Sequence, residues 1–146
     1  MYRKRAGRLE VLLVHPGGPF WRNKGEGAWS IPKGEVADGE EMLDAAKREF
    51  QEETGFMPVG RFIPLREVRL KSGKTVHAWA VEGDLDPTAI RSNTFTMEWP
   101  PKSGKRAEFP EVDRAEFFDP ETARKKINPA QAALVIELEK RIASPE

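Results

Sequence analysis

The sequence predicts an α+β fold in a single domain spanning residues 1-146. Runs with strand character recur along the chain: the apolar stretch Leu9 to Val14, the alternating Trp29 to Ile31, the pair Arg61 to Leu70 and Lys74 to Glu82, then Thr94 to Trp99 and Ala115 to Phe118. Three segments instead carry helical spacing and helix-end residues: Glu40 to Thr54, Pro120 to Ile127 and Pro129 to Ile142. A length of 146 residues matches one domain with one real core, and the chain has no internal repeat, low-complexity tract or linker.

The 24 basic and 24 acidic residues balance, so no net field draws the chain to nucleic acid or to a membrane, and neither is expected as a partner. Recognition of an anion must be local. With no cysteine, no apolar run of membrane-spanning length and no signal-peptide pattern, a cytoplasmic protein without disulfides is expected.

Met1 to Gly7 is short and basic, with Tyr2 its one large apolar side chain, and reads as a stub before the mostly buried strand Leu9 to Val14. His15 to Ala28 is rich in Gly and Pro and must be a loop. Within it His15 is more often structural than a ligand, and Phe20 and Trp21 either pack the loop down or stack on an aromatic ligand. Trp29 and Ile31 flank Ser30 as on a half-buried strand that Pro32 ends.

The helix from Glu40 to Thr54 has Asp38 as its expected N-cap, Gly55 as C′ residue, and Leu43, Ala46 and Phe50 as its apolar stripe. Its other face carries Glu49, Glu52 and Glu53, neighbours at i, i+3 and i+4 in the last turns, where the macrodipole is also negative. Each of these conflicts costs roughly 0.3 to 1 kcal/mol, and Arg48 offsets them only in the weaker orientation, base before acid. Clustered oxygen ligands on a rigid element suit a hard divalent cation, Mg²⁺ or Mn²⁺.

After the helix, Ser72-Gly73 joins the two strands 61 to 70 and 74 to 82 as a hairpin, with Val76, Ala78 and Ala80 on one face and Thr75, His77, Trp79 and Val81 on the other. Thr94 to Trp99 places Phe95, Met97 and Trp99 on one face. Pro100 to Asp113 reads as a long polar loop, and loops of that length are usually functional. The last helix carries Leu134, Leu138 and Ile142 on one stripe, beside Val135 and Ile127. This is core packing, with a homodimer interface as the minority reading.

Gly34, Glu40, Arg48, Glu49, Phe50, Glu52, Glu53, Gly55 and Phe56 match the Nudix box, G-x5-E-x7-R-E-U-x-E-E-x-G-U with U apolar, at every specified position. A chance match is on the order of 10⁻⁹ per start site. The chain thus resembles the Nudix hydrolases over nearly its full length. The resemblance implies a mixed sheet sandwiched between helices and a metal-dependent pyrophosphohydrolase acting on a nucleoside diphosphate linked to another group. It also implies that the first strand is shortened. W-S-I-P-K-G further resembles the stretch seen in the branch acting on diadenosine polyphosphates and inositol pyrophosphates, which favours a nucleoside or dinucleoside polyphosphate. Alternatives are an RNA 5′-triphosphate, an inositol pyrophosphate, or a non-catalytic nucleotide-binding module.

By the same resemblance, Mg²⁺ (or Mn²⁺) is held by Glu49, Glu52, Glu53 and the Gly34 carbonyl, with a loop glutamate, Glu108 or Glu111, completing the site; Glu108 is preferred. Arg48 orients Glu49, and Glu49, Glu53 or the loop glutamate takes the proton from the attacking water. Substrate-facing candidates are Lys33, Trp29, Trp99 and Lys105. Lys33 either meets a phosphate or stays in solvent. Lys102, Lys105 and Arg106 suit a polyphosphate chain or are passive. Phe20, Trp21, Trp79 and Trp99 are each credible beside a nucleobase.

Overall fold

A computed structural model describes residues 1–33 and 38–143. Its axis is β2, Arg8–Pro16, whose central residues Val11 to Val14 are all buried. On one edge it pairs antiparallel with β1, Tyr2–Arg5, and on the other with β9, Val112–Phe118. The basic stub is thus a four-residue strand, joined to β2 through the turn Ala6-Gly7. Tyr2 continues the sheet beyond β1 in parallel sense: its N–H donates to the Val81 carbonyl (3.0 Å) and its carbonyl accepts from Gly83 (2.9 Å).

Strand pleating sends alternate β2 side chains to opposite faces. Val11 and Leu13 join Trp29, Ala123, Ile127, Val135 and Leu138, on the face covered by α2, Pro120–Lys126, and α3, Ala132–Ala143. Leu12 and Val14 join Phe50 of α1, Met42–Thr54, with Val112 and Ala115 of β9. The result is the expected layer order of helix, mixed sheet, helix. Of the α3 stripe, Leu134 and Leu138 are buried in the core, with Val135 beside them.

The connections differ from expectation in three places. The first is the start of α1: Glu41, not Asp38, occupies the N-cap, without a side-chain cap, and Asp38 lies in a turn before it. The side chains that α1 buries are Ala45, Phe50, Glu53 and Thr54, so the inward face is rotated toward the acids and only Phe50 of the expected stripe is fully covered.

The second is the hairpin at Ser72-Gly73, which is broken into two short ladders. β4, Val68–Arg69, pairs with β5, Thr75–Val76, while β3, Ile63–Pro64, pairs with β6, Trp79–Ala80. Val76, Ala78 and Ala80 do face inward as the alternation requires.

The third is the segment Pro100 to Asp113, which is not a loop. β7, Thr94–Glu98, pairs with β8, Arg106–Pro110, and β9 begins two residues later. Phe95 opposes Phe109 and Met97 opposes Ala107 on one face, and Glu98 accepts from the Lys102 and Gly104 amides to close the turn. Proline and charge hid the alternation, because the outward face of this hairpin is almost wholly polar.

Candidate active site

Arg48 gathers the acids that crowd α1. Its Nε and Nη2 donate to the two Glu40 oxygens at 2.8 and 3.1 Å, a bidentate grip on the residue before the N-cap. Its Nη1 donates to Glu49 Oε1 at 2.8 Å and to the Glu52 oxygens at 3.2 and 3.1 Å. Hydrogen bonds to Glu40 first, then to Glu52 and Glu49, push the guanidinium pKa up. One planar fork therefore fixes three carboxylates relative to one another, a task a lysine could not perform.

Glu53 stands apart from that network. It is 7% exposed, and its Oε2 accepts the Lys33 backbone N–H at 2.9 Å. Burial pushes its carboxyl up to about 8; the Lys33 amide and ammonium oppose this, and the charges of Glu49 and Glu111 add to it. Glu49 is also raised, by burial first, with Glu52 and Glu111 adding and Arg48 opposing.

The C-terminal end of α1 explains how Glu111 arrives there. Gly55 adopts the left-handed conformation (φ 82°), which turns the chain out of the helix; a Cβ there would also lie 3.1 Å from the Arg91 carbonyl oxygen. The freed carbonyls then take partners from the next segment: Thr54 from the Arg91 N–H (2.8 Å) and Glu52 from the Asn93 N–H (2.7 Å). The Asn93 carbonyl in turn accepts from Glu111 N–H (2.8 Å). A backbone relay thus ties Glu111 to the helix end.

The two loop candidates are placed differently. Opposite Thr96 in the β7 and β8 ladder, Glu108 sits on the exposed face, away from the Phe95 and Phe109 side and outside the cleft. The loop carboxylate that reaches Glu53 is Glu111, which lines one cleft with Glu53, Lys33, Trp21, Leu70 and Gln131. Gln131 is fully buried and holds the W-S-I stretch, accepting from the Ile31 N–H at 3.1 Å and donating to Ser30 Oγ at 3.2 Å. Nothing in the sequence singled it out, since one glutamine near a helix start carries no signal.

The substrate-facing candidates separate as well. Lys33 is exposed and lines the cleft. Trp29 does not: it is 3% exposed, with rings of His15 and Phe118 edge-on at 5.2 and 5.0 Å, so it is a core residue with no face to offer. Trp99 packs against Phe20 (5.7 Å), and Lys105 lies exposed at the turn between β7 and β8; neither lines the cleft. Trp79 lines an apolar cavity between α1 and β6 with Phe50 and Phe62. Gly34 lies outside the described residues.

Glu53 is buried and Glu49 largely covered, both carboxyls are raised, and carboxylate oxygens are the ligand type that a hard divalent cation takes. Among the described residues no three acidic or histidine side chains already stand at ligating separation, and Arg48 occupies Glu52. Also among the described residues, no helix is long and apolar enough to cross a membrane.

The family model for the NUDIX domain matches residues 2–138. The chain is 31% identical over 123 residues to the octanoyltransferase of Myxococcus xanthus, a match covering 84% of this chain and 30% of that protein. It therefore spans under a third of that relative's length. Among solved structures it is similar to an Ap4A hydrolase of C. elegans (TM-score 0.68, 21% identity, 97% of this chain and 93% of that one). It is also similar to the NUDIX domain of Shewanella oneidensis NrtR, solved with ADP ribose (TM-score 0.66, 16% identity, 97% and 82%). Those two likenesses concern the fold, whereas the match over residues 2–138 is to the sequence itself, and by it the chain belongs to the Nudix family.

Proposed function

We propose that this Nudix hydrolase cleaves a phosphoanhydride in a nucleoside diphosphate linked to a second group, with nucleoside or dinucleoside polyphosphates as the substrate class. The observation that carries this reading is the buried Glu53 carboxyl, crowded by Glu49 and Glu111, in a cleft that also presents the Lys33 ammonium. Mg²⁺, or Mn²⁺ in its place, would be held by Glu49 and Glu53, with Glu52 and the Gly34 carbonyl as further donors, and would neutralise substrate charge and acidify a water.

The chain's own groups divide the remaining work. Arg48 holds Glu49 in place through the 2.8 Å contact, and Glu40 holds Arg48. Lys33 supplies a positive charge at the cleft wall for a phosphate oxygen. A base must be free of other partners. Glu53 is buried and takes the Lys33 amide, and Glu49 is engaged by Arg48, whereas the Glu111 side chain is exposed and makes no hydrogen bond or ion pair among the described residues. Glu111 is therefore the proton acceptor in this reading. An RNA 5′ end would need a basic track, which the neutral composition does not favour.

Product chromatography tests this. The protein is incubated with Mg²⁺ and a dinucleoside tetraphosphate, common and oxidised nucleoside triphosphates, ADP-ribose, a nucleotide sugar or 5′-triphosphorylated RNA. Cleavage of one compound, lost in Glu53→Gln and without added metal, is expected. A folded protein that cleaves none of them would sink the proposal.

A further inference from the structure

Of the aromatic side chains considered beside a ligand, Trp21 alone lines the cleft that holds Glu53, Glu111 and Lys33. It is 42% exposed, an unusual state for so large an apolar ring at the rim of a charged site. It is also fixed in place. The Trp21 N–H donates to the Gly18 carbonyl (3.2 Å), and its own carbonyl accepts from Lys24 N–H (3.0 Å). Lys24 is in turn pinned, its carbonyl oxygen lying 2.6 Å from Nε2 of the buried His15. At the loop's start, Gly17 N–H donates to the Glu111 carbonyl (2.9 Å), and a Cβ at Gly17 would sit 2.1 Å from the Pro110 carbonyl oxygen. The loop is therefore pressed onto the same backbone that delivers Glu111. An exposed indole on a hydrogen-bonded turn beside Lys33 and Glu53, at the wall of a cleft of about 240 Å³, is placed to meet a flat ring.

We propose that Trp21 is the stacking platform for the substrate's nucleobase and sets the preference of this site for nucleotides over base-free pyrophosphates. The inference rests on the hydrolase reading above and sharpens it, since an inositol pyrophosphate or an inorganic polyphosphate has no ring to stack. Stacking tolerates every base, so Trp21 separates nucleotides from other anhydrides without choosing among bases. Because Trp21 touches the base and not the reacting phosphorus, its removal acts on binding more than on turnover.

The test compares KM for a nucleoside triphosphate with KM for inorganic tripolyphosphate in Mg²⁺, in the native protein, Trp21→Ala and Trp21→Phe. The native protein is expected to favour the nucleotide by roughly tenfold or more, Trp21→Ala to bring that ratio near one, and Trp21→Phe to restore most of it. A ratio unchanged in Trp21→Ala, or both KM values rising together as kcat falls, overturns the proposal, because a merely structural tryptophan would do the latter. If the native protein hydrolyses neither compound, the hydrolase reading is what has failed. The same ratio is then taken from dissociation constants by calorimetry, and it supports or overturns the role of Trp21 on the same terms.

Discussion

His15 Nδ1 and Asp113 Oδ1 lie 2.7 Å apart across the ladder that joins β2 to β9, although 98 positions separate them in the chain. The other ring nitrogen meets the Lys24 carbonyl, which can only accept, so Nε2 carries a hydrogen there. The imidazole is fully buried, with Trp29 edge-on at 5.2 Å. It serves as an internal strap for the loop that carries Trp21.

Replacing His15 by Phe keeps the packing on Trp29 and removes both contacts, while Asp113 keeps Arg114 at 3.8 Å and its partial exposure. A loss of about 1 kcal/mol is expected from the hydrogen bonds, read from urea unfolding. Amide exchange should quicken at Gly18 to Lys24, where the strap holds the turn. Unchanged stability together with unchanged exchange would show that the strap carries no load.

The metal-free protein should lose stability as pH rises. The Glu53 carboxyl is raised to about 8 in the folded state against an ordinary 4.5, so between those values the unfolded chain has released a proton that the folded chain retains. Fewer protons on the unfolded state means stability falls with pH, by at most about 1.4 kcal/mol per pH unit for one group. Below 4.5 both states are protonated and above 8 both are ionised, so this contribution flattens at each end. Urea midpoints in a chelator at pH 5, 6.5 and 8 read this, and Glu53→Gln should lose the slope while gaining stability at pH 8. A midpoint that climbs from pH 5 to pH 8 would contradict the buried, crowded carboxyl.

The elements that the sequence declared are those with one-sided chemistry. β2 is uniformly apolar, α1 ends in Glu49, Glu52, Glu53 and Gly55, and α3 has its leucines on a single stripe. β7 was legible from Phe95 and Met97, but its partner β8 was hidden because only Ala107 and Phe109 are shielded and Pro110 with the charges beside them masks the period. In the site, local spacing revealed the helix acids, since i, i+3 and i+4 positions must be neighbours. The choice between Glu108 and Glu111 was not local: it depends on the Glu52, Asn93 and Glu111 backbone relay, a long-range pairing with no residue signature. Trp29 misled for a similar reason, since exposed and buried tryptophans look alike until their neighbours are known.

That relay makes a direct comparison available. Glu111→Gln should lower kcat by roughly 10² to 10⁴, the usual contribution of a positioned base, with the far-ultraviolet spectrum unchanged. Glu108→Gln, on the exposed face of β8, should stay within about twofold of the native rate, since isolated surface changes rarely matter. The reverse pattern would return the loop carboxylate to Glu108 and break the link between the helix end and the site.

Arg48→Lys preserves the charge and removes the fork. A lysine can meet one carboxylate at a time, so the simultaneous hold on Glu40, Glu49 and Glu52 is lost and Glu49 is free to wander. kcat should fall about tenfold to a hundredfold with a smaller change in KM, because Arg48 positions Glu49 and does not line the cleft with Lys33 and Trp21. Glu40→Gln weakens the same fork from its other end. If Arg48 acts through that bidentate contact, the double substitution should cost little more than Arg48→Lys alone; fully additive losses in kcat would mean that Glu40 and Arg48 work independently.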